Sequence, residues 1–581
     1  MTKTATRKGA RKTDGGNAAS QPASQPDAQP ISQPASQPPA GPNPFVGLRP
    51  EDMASAARQI GTQVLQEPTL LIEQQTQLAH DVWCALTGTA EARPVKDRRF
   101  GDSAWQDNPF YRIAMHTYMA WCDAVTGFIS RSVMDDRSKE RAQFFTSLVT
   151  DALAPTNTLL GNPAALRKTV ESGGASLVSG FTNLVTDALT NQGMPSQVDK
   201  SAFAVGDNLA VTPGTVVFRN EVLELIQYAP TTAKVHARPH LIVPPQVNKY
   251  YVFDLSQGKS MVEYLVKHEF QVFIVSWRNP TTEHRDWNLD TYVGALVEAI
   301  HAIQDITGSA DVNLHGACSG AMTMSALMGW CAASGEKLVN AATLMVSVFG
   351  LDNDSQLGLF STPEALAAAR HGSNTRGVLD GDDLGRVFAW MRPNDLVWNY
   401  WVNNYLLGKA PPAFDILYWN NDSTRLPGGF HCQLLDMLNE NQLATPGALK
   451  VLGLPIDLSQ VDCDKYVMAG MTDHITPWKG VFRAARTFGG RTEFVLSSSG
   501  HIQSLINPPG NPKSKYFVNG DLTTDADAWL EGATAEQDTW WEHWRLWLKK
   551  HSGSRRNAPA APGSERFQPC GEAPGTYAVE Q

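Results

Sequence analysis

A basic excess, paired cysteines and long apolar runs are all missing from this 581-residue chain. Acidic residues number 58 against 48 lysines and arginines, a formal charge of −10. A nucleic-acid binder shows the opposite balance, so no nucleic-acid partner is expected. No apolar stretch approaches the roughly 18–20 residues a membrane span needs. The basic opening MTKTATRKGARK is not followed by an apolar stretch, so no secretory signal is expected there. Seven cysteines without a CxxC pair fit neither a disulfide scaffold nor a zinc ribbon. Free thiols in a reducing cytoplasm are expected instead. No P-loop, GxGxxG signature or metal-ligand cluster occurs, so neither a bound cofactor nor a metal is expected.

What is present is a globular balance, with 42% apolar and 18% charged residues. Residues 1–43 repeat Ser-Gln-Pro from Ser20, Ser24, Ser32 and Ser36 and have too little apolar surface to offset ordering, so a disordered leader is expected. Residues 44–200 place apolar side chains at three- and four-residue intervals, as in QVLQEPTLLIEQQTQLAHDVWCALTG, which predicts a helical N-terminal domain. From 201 to 550 short apolar runs (TVVFRN, HLIVPP, QVFIVSW, DVNLHG, KYVMAG, TEFVLSSSG) alternate with helical stretches. That alternation predicts an α/β domain with a mostly parallel sheet covered on both faces. Its rhythm breaks at about 350–445, a long Trp-, Asn- and Pro-rich insertion that reads as a cap. Residues 551–581 are polar and Pro/Ala-rich, a tail. Trp540, Trp544 and Trp547 recur at helical spacing, which predicts a helix packed on the core, with a docking face for polymer as the alternative.

The chemistry centres on Gly316-Ala317-Cys318-Ser319-Gly320, where a strand runs directly into a helix. This is the nucleophile-elbow pattern G-x-S-x-G with cysteine at the serine position. In an α/β-hydrolase the acid and then the histidine follow the nucleophile, each after a later strand. KYVMAGMTDHITPW supplies Asp473 and TEFVLSSSGHIQ supplies His501, in that order and context. His474 beside the acid is either a hydrogen-bonding neighbour or a structural histidine. The backbone amides of Ser319 and of a residue near Val247 are the oxyanion-hole candidates. Cys84, Cys122, Cys331, Cys432, Cys463 and Cys570 have no elbow around them and read as inert thiols. Attack of a thiolate on a thioester is nearly isoenergetic, so cysteine keeps an acyl group activated for onward transfer to a hydroxyl. Such chemistry requires water to be excluded, and a cap suits that. The residues therefore point to a capped Cys-His-Asp acyltransferase.

The same residues resemble the polyhydroxyalkanoate synthases, which polymerise (R)-3-hydroxyacyl-CoA into storage polyester. That family's G-x-C-x-G is Gly316 to Gly320 here, D-H-I-x-P-W is Asp473 to Trp478, and S-G-H-I is Ser499 to Ile502. Further blocks match from about Asn43 onward, among them DRRFGDSAWQDNPFYR, VPPQVNKYYVFDL and FAWMRPNDLVWNYWVNNYLLG. Ala321 stands where family members often carry glycine. The resemblance implies an α/β-hydrolase core with a cap insertion, preceded by a helical N-terminal domain. It implies that Cys318 carries the growing chain, His501 deprotonates it and Asp473 helps activate the 3-hydroxyl of the incoming unit. The coenzyme A thioester would be substrate, not cofactor, and the partners would be 3-hydroxyacyl-CoA, the growing polyester chain, a second copy in a homodimer and the granule surface. The location implied is cytoplasmic, at polyhydroxyalkanoate granules. The wording of GMPSQVDKSAF and HGACSGA is most similar to the single-subunit, medium-chain-length subclass. Two alternatives stay open: a thioesterase or lipase on the same fold, and a catalytically silent granule scaffold.

Overall fold

The computed structural model describes residues 45–90, 97–351 and 358–580, and the expected leader over 1–43 lies outside them. Helices Pro50–Gln66, Pro68–Thr87 and Pro109–Arg131 each begin with a proline in the first turn, where its missing N–H costs nothing. Asn108 and Asp135 cap the helices Pro109–Arg131 and Asp136–Ala152 by accepting from Phe110 and Ser138 amides. Phe100, Trp105, Tyr111 and Tyr118 form a buried aromatic nucleus beneath them. This region is not a free-standing bundle: the described residues all fall in one compact unit. Arg99 bonds Asp151 at 3.1 Å and the cap's Asn394 at 3.0 Å. Helix Ala175–Thr190 lies directly on the cap segment Trp401–Leu406, with Tyr405 donating to buried Asp187 at 2.7 Å.

After residue 201 the chain builds an eleven-stranded sheet. In chain order its strands are β1 (Gly214–Arg219), β2 (Leu223–Tyr228), β3 (His240–Val243), β4 (Val272–Trp277), β5 (Val312–Ala317) and β6 (Val339–Met345). They continue as β7 (Asp464–Gly470), β8 (Thr492–Ser497), β9 (Lys515–Val518), β10 (Thr534–Gln537) and β11 (Gly571–Glu572). The spatial order is β10-β9-β8-β7-β6-β5-β3-β4-β2-β1-β11. The pairs from β4 through β3, β5, β6 and β7 to β8 are parallel, and the outer ones antiparallel. Strands β4 and β5 are buried along their whole length, as strands covered on both faces must be. One apolar cluster joins helices Leu289–Thr307 and Cys318–Ser334 to the sheet, and another joins Met261–Lys267 and Trp540–His551. Because the chain leaves β3 toward β4 and later returns to β5 on the other side, a crevice opens at the carboxyl ends of β3 and β5.

All four tryptophans of Trp540–His551 are buried, with Trp540 donating to the Ser504 carbonyl and Trp544 to the Thr343 hydroxyl. They are core, not a docking face. Residues after 551, expected as a tail, instead run back along the sheet. Arg555–Asn557 pairs with Lys234–His236, and β11 covers the outer edge of β1. The physical demand is Glu224, fully buried in β2, whose carboxylate takes donors from Arg219, Thr576 and the Tyr577 amide. The cap lies between β6 and β7 and carries helices Pro363–Arg376, Gly381–Met391 and Gly428–Asn439. Among the described residues, no helix is long and apolar enough to cross a membrane.

A Cβ at Gly180 would stand 1.9 Å from the Tyr405 carbonyl oxygen. Helix propensity alone favours Gly180→Ala by roughly 1 kcal/mol, but the clash with a backbone atom opposes it. The substitution is expected to destabilise by roughly 1–3 kcal/mol, read as a lower thermal midpoint. A rise in that midpoint would show that the helix does not bear on the cap.

Candidate active site

Cys318 sits at the joint between β5 and the helix Cys318–Ser334, with φ at +49°, in the left-handed region that a side chain normally avoids. Strain of roughly 1–3 kcal/mol of this kind persists only where the surroundings impose it. Here β5 is hydrogen-bonded on both sides, and the Ser347 hydroxyl donates to the Cys318 carbonyl at 2.9 Å. The following helix is pressed against the end of β3. A Cβ at Gly320 would meet the Val243 and Pro244 carbonyl oxygens at 2.4 and 2.5 Å, and one at Gly316 would meet the Ala321 backbone at 3.0 Å. Both glycines of the motif are thus sterically required. The thiol is pushed out at the N-terminus of the helix Cys318–Ser334, facing the crevice.

Asp473 follows β7 and His501 follows β8, and the structure brings them together. His501 Nδ1 lies 2.7 Å from Asp473 Oδ2, and both side chains are buried. Burial alone would push the imidazole down. The Asp473 charge and hydrogen bond, with a further contribution from Cys318, outweigh it and hold the imidazole at about 10. Burial would also raise Asp473, yet His501, the Thr476 amide and the Thr476 hydroxyl hold it below the usual carboxylate value. Asp473 Oδ1 accepts the amides of Ile475 and Thr476 at 2.8 and 2.9 Å, and Oδ2 accepts the Thr476 hydroxyl at 2.7 Å as well as His501. All four lone-pair sites of the carboxylate are filled. Thr476 is a site residue the sequence reading missed, although a threonine three positions after an aspartate in a turn is a recognisable side-chain–backbone signal.

His474 is half-buried, and burial drives it down to about 4, against a pull from Asp473 and with a push from Arg392 of the cap. It is a neutral neighbour of the acid. Burial also pushes Cys331 up to about 12 and Cys463 up to about 11, and raises Cys122, Cys432 and Cys570, so these thiols are poor nucleophiles at neutral pH.

Ser319 and Val247 line the same cavity as Cys318, about 40 Å³ in volume, with Phe45, Val348, Phe388 and Leu438 among its apolar walls. The loop after β3 that carries Val247 is clamped from both sides. The Gln246 amide donates to the Ser319 hydroxyl at 3.2 Å. From the cap, the Thr424 amide donates to the Val247 carbonyl and the Thr424 hydroxyl to the Gln246 carbonyl. Ser347, Thr424 and Phe45 are further residues of the site with no local sequence signal, because each reaches it from a distant segment. Among the described residues, no group of three His, Cys, Asp or Glu could hold a metal ion.

Comparison with known proteins gives two family matches. Residues 96–265 match the poly-beta-hydroxybutyrate polymerase (PhaC) N-terminus, and residues 239–508 match the alpha/beta hydrolase fold. The chain is 50% identical to poly(3-hydroxyalkanoate) polymerase 1 of Ectopseudomonas oleovorans over 93% of its length and 97% of the relative's. It is 48% identical to polymerase 2 of the same organism, over 92% and 96% of the two chains. Identity to the poly(3-hydroxyalkanoate) polymerase subunit PhaC of Cupriavidus necator is 39% over 85% of each.

The direction of the imidazole shift can be tested. In wild type the His501 ring resonance is expected to titrate near pH 10. In Asp473→Asn the charge that opposes burial is gone while burial remains, so the ring is expected to titrate below the ordinary histidine value of about 6.5. NMR of histidine-labelled protein reads this directly. An unchanged titration would mean that Asp473 does not set the state of His501.

Proposed function

The chain belongs to the poly(3-hydroxyalkanoate) polymerases, acyltransferases on the α/β-hydrolase fold, and from that premise we propose that it polymerises (R)-3-hydroxyacyl-CoA through an acyl-Cys318 intermediate. The observation that carries this reading is an elbow cysteine beside an imidazole backed by a buried carboxylate. Cys318 Sγ attacks the thioester carbonyl, forming an S–C bond as the bond to the coenzyme A sulfur breaks. His501, which already holds the proton at neutral pH, gives it to the departing coenzyme A thiolate. The 3-hydroxyl of the next unit then attacks the acyl-cysteine carbonyl, its proton passing to His501 as the bond to Cys318 Sγ breaks. An ester forms and the Cys318–His501 pair is regenerated. The amides of Ser319 and Val247 are the donors we assign to the developing oxyanion.

Two structural features refine the reading. The carboxylate of Asp473 has no vacant acceptor site, which favours its acting through His501 over direct contact with the incoming hydroxyl, the role the family resemblance implies. The small, apolar-walled cavity favours transfer over hydrolysis, because water would intercept the acyl-enzyme. A cavity of this size is far below the roughly 300–1,000 Å³ of ordinary ligand sites, so cap or wall residues move when substrate binds. We take medium-length 3-hydroxyacyl units as the substrates. The growing polyester, its granule surface in the cytoplasm and a second copy of the chain are the partners, and no cofactor is needed.

Incubation with 3-hydroxyacyl-CoA thioesters of several lengths, following coenzyme A release and polymer together, is the test. Wild type is expected to give both, and Cys318→Ala neither. Release of free acid without polymer would favour a thioesterase. In single turnover, Asp473→Asn is expected to lose the coenzyme A burst as His501→Gln does, by on the order of 10³-fold or more in rate. A full burst without polymer in Asp473→Asn would instead assign the aspartate to the incoming hydroxyl.

A further inference from the structure

Most walls of the Cys318 cavity come from the hydrolase core and the cap, but Phe45 comes from the segment preceding the first helix. Phe45 also lines a second, larger groove of about 630 Å³, between the helical region (Leu48, Met53, Leu148) and the cap (Ala369, Val387, Trp390). Among the described residues it is common to both linings, so Phe45 stands where the two spaces adjoin. The backbone that carries the ring is pinned. His431 Nε2 donates to the Phe45 carbonyl at 2.7 Å, and His431 Nδ1 accepts from the Ser373 hydroxyl at 2.8 Å. Val46 is buried against Ala365 and Leu435 of the cap. A pinned backbone with a large flat side chain between two voids is the construction of a partition.

Resting on the polymerase reading above, we propose that Phe45 sets the acyl-length limit at Cys318, its ring closing off a groove that a longer apolar tail occupies once the ring is removed. The groove also carries Arg49, Arg376, Asp383 and Arg386, which are paired with one another or with Asp52. Its Met53, Leu148, Leu379 and Val387 walls supply the apolar contact an alkyl tail requires. One added methylene in such a pocket changes discrimination by about 10-fold or more, and the phenyl ring is a larger change.

The test uses the full chain with Phe45→Ala and Phe45→Trp. Rates of coenzyme A release are compared for 3-hydroxybutyryl-, 3-hydroxyoctanoyl- and 3-hydroxydodecanoyl-CoA. Phe45→Ala is expected to raise the dodecanoyl-to-octanoyl ratio of kcat/KM by roughly tenfold, and Phe45→Trp to lower it. Equal ratios in wild type and both variants would overturn the proposal, whatever happens to the absolute rates. Labelling of Cys318 by N-alkylmaleimides of increasing chain length, read by intact mass, reports the same partition without turnover. If wild type makes no polymer while the labelling ratio still shifts with Phe45, the polymerase reading fails and the partition stands. Polymer formation with no shift in either ratio has the reverse meaning.

Discussion

The close approach of Gly320 to the Val243 and Pro244 carbonyls is the contact on which the site depends. It seats the elbow helix on the end of β3 and leaves no room for a single methyl group. That seating forces Cys318 into its left-handed backbone and aims the helix N-terminus into the crevice. It also brings the loop with Gln246 and Val247 against Ser319, where the Gln246 amide meets the Ser319 hydroxyl. The donors assigned to the oxyanion are therefore set by the same packing that exposes the nucleophile. Such prior arrangement is what makes electrostatic stabilisation effective, because no reorganisation is needed during reaction.

Opposite the elbow, charge is managed by saturation. Asp473 is buried, and a buried carboxylate is tolerable only when its lone pairs are matched by donors. Two backbone amides, one hydroxyl and one imidazole provide that match. The same saturation makes Asp473 a fixed negative charge behind His501.

The cap and the N-terminal helices form one cover. Thr424 clamps the Val247 loop, Arg99 ties the helical region to Asn394, and Tyr405 reaches Asp187 across the contact with Ala175–Thr190. In the mechanism proposed above, a cover held this way would keep water from the acyl-cysteine. It also explains why a region without catalytic side chains of its own contributes a wall, Phe45, to the cavity.

Much of this was legible along the chain. Strand runs such as QVFIVSW are apolar because both faces are covered, and glycines at 316 and 320 mark a turn that only they permit. Cys318, Asp473 and His501 were readable because each sits next to its own strand in a local motif. The tryptophans of Trp540–His551 announced a core helix through spacing alone. Other features were decided by tertiary structure, since they are made by residues far apart in sequence. Thr424 and Ser347 carry no motif, and their importance comes from which carbonyl each hydroxyl meets. The residues after 551 looked like a solvated tail because they are polar, yet a buried Glu224 and an open β1 edge drew them in. Phe45 follows a low-complexity leader and has no periodic neighbours to mark it. Its place beside Cys318 depends on His431, nearly four hundred positions later. Local sequence determines local geometry and the identity of reactive groups, whereas polar satisfaction and cavity walls are global properties that appear only when distant segments meet.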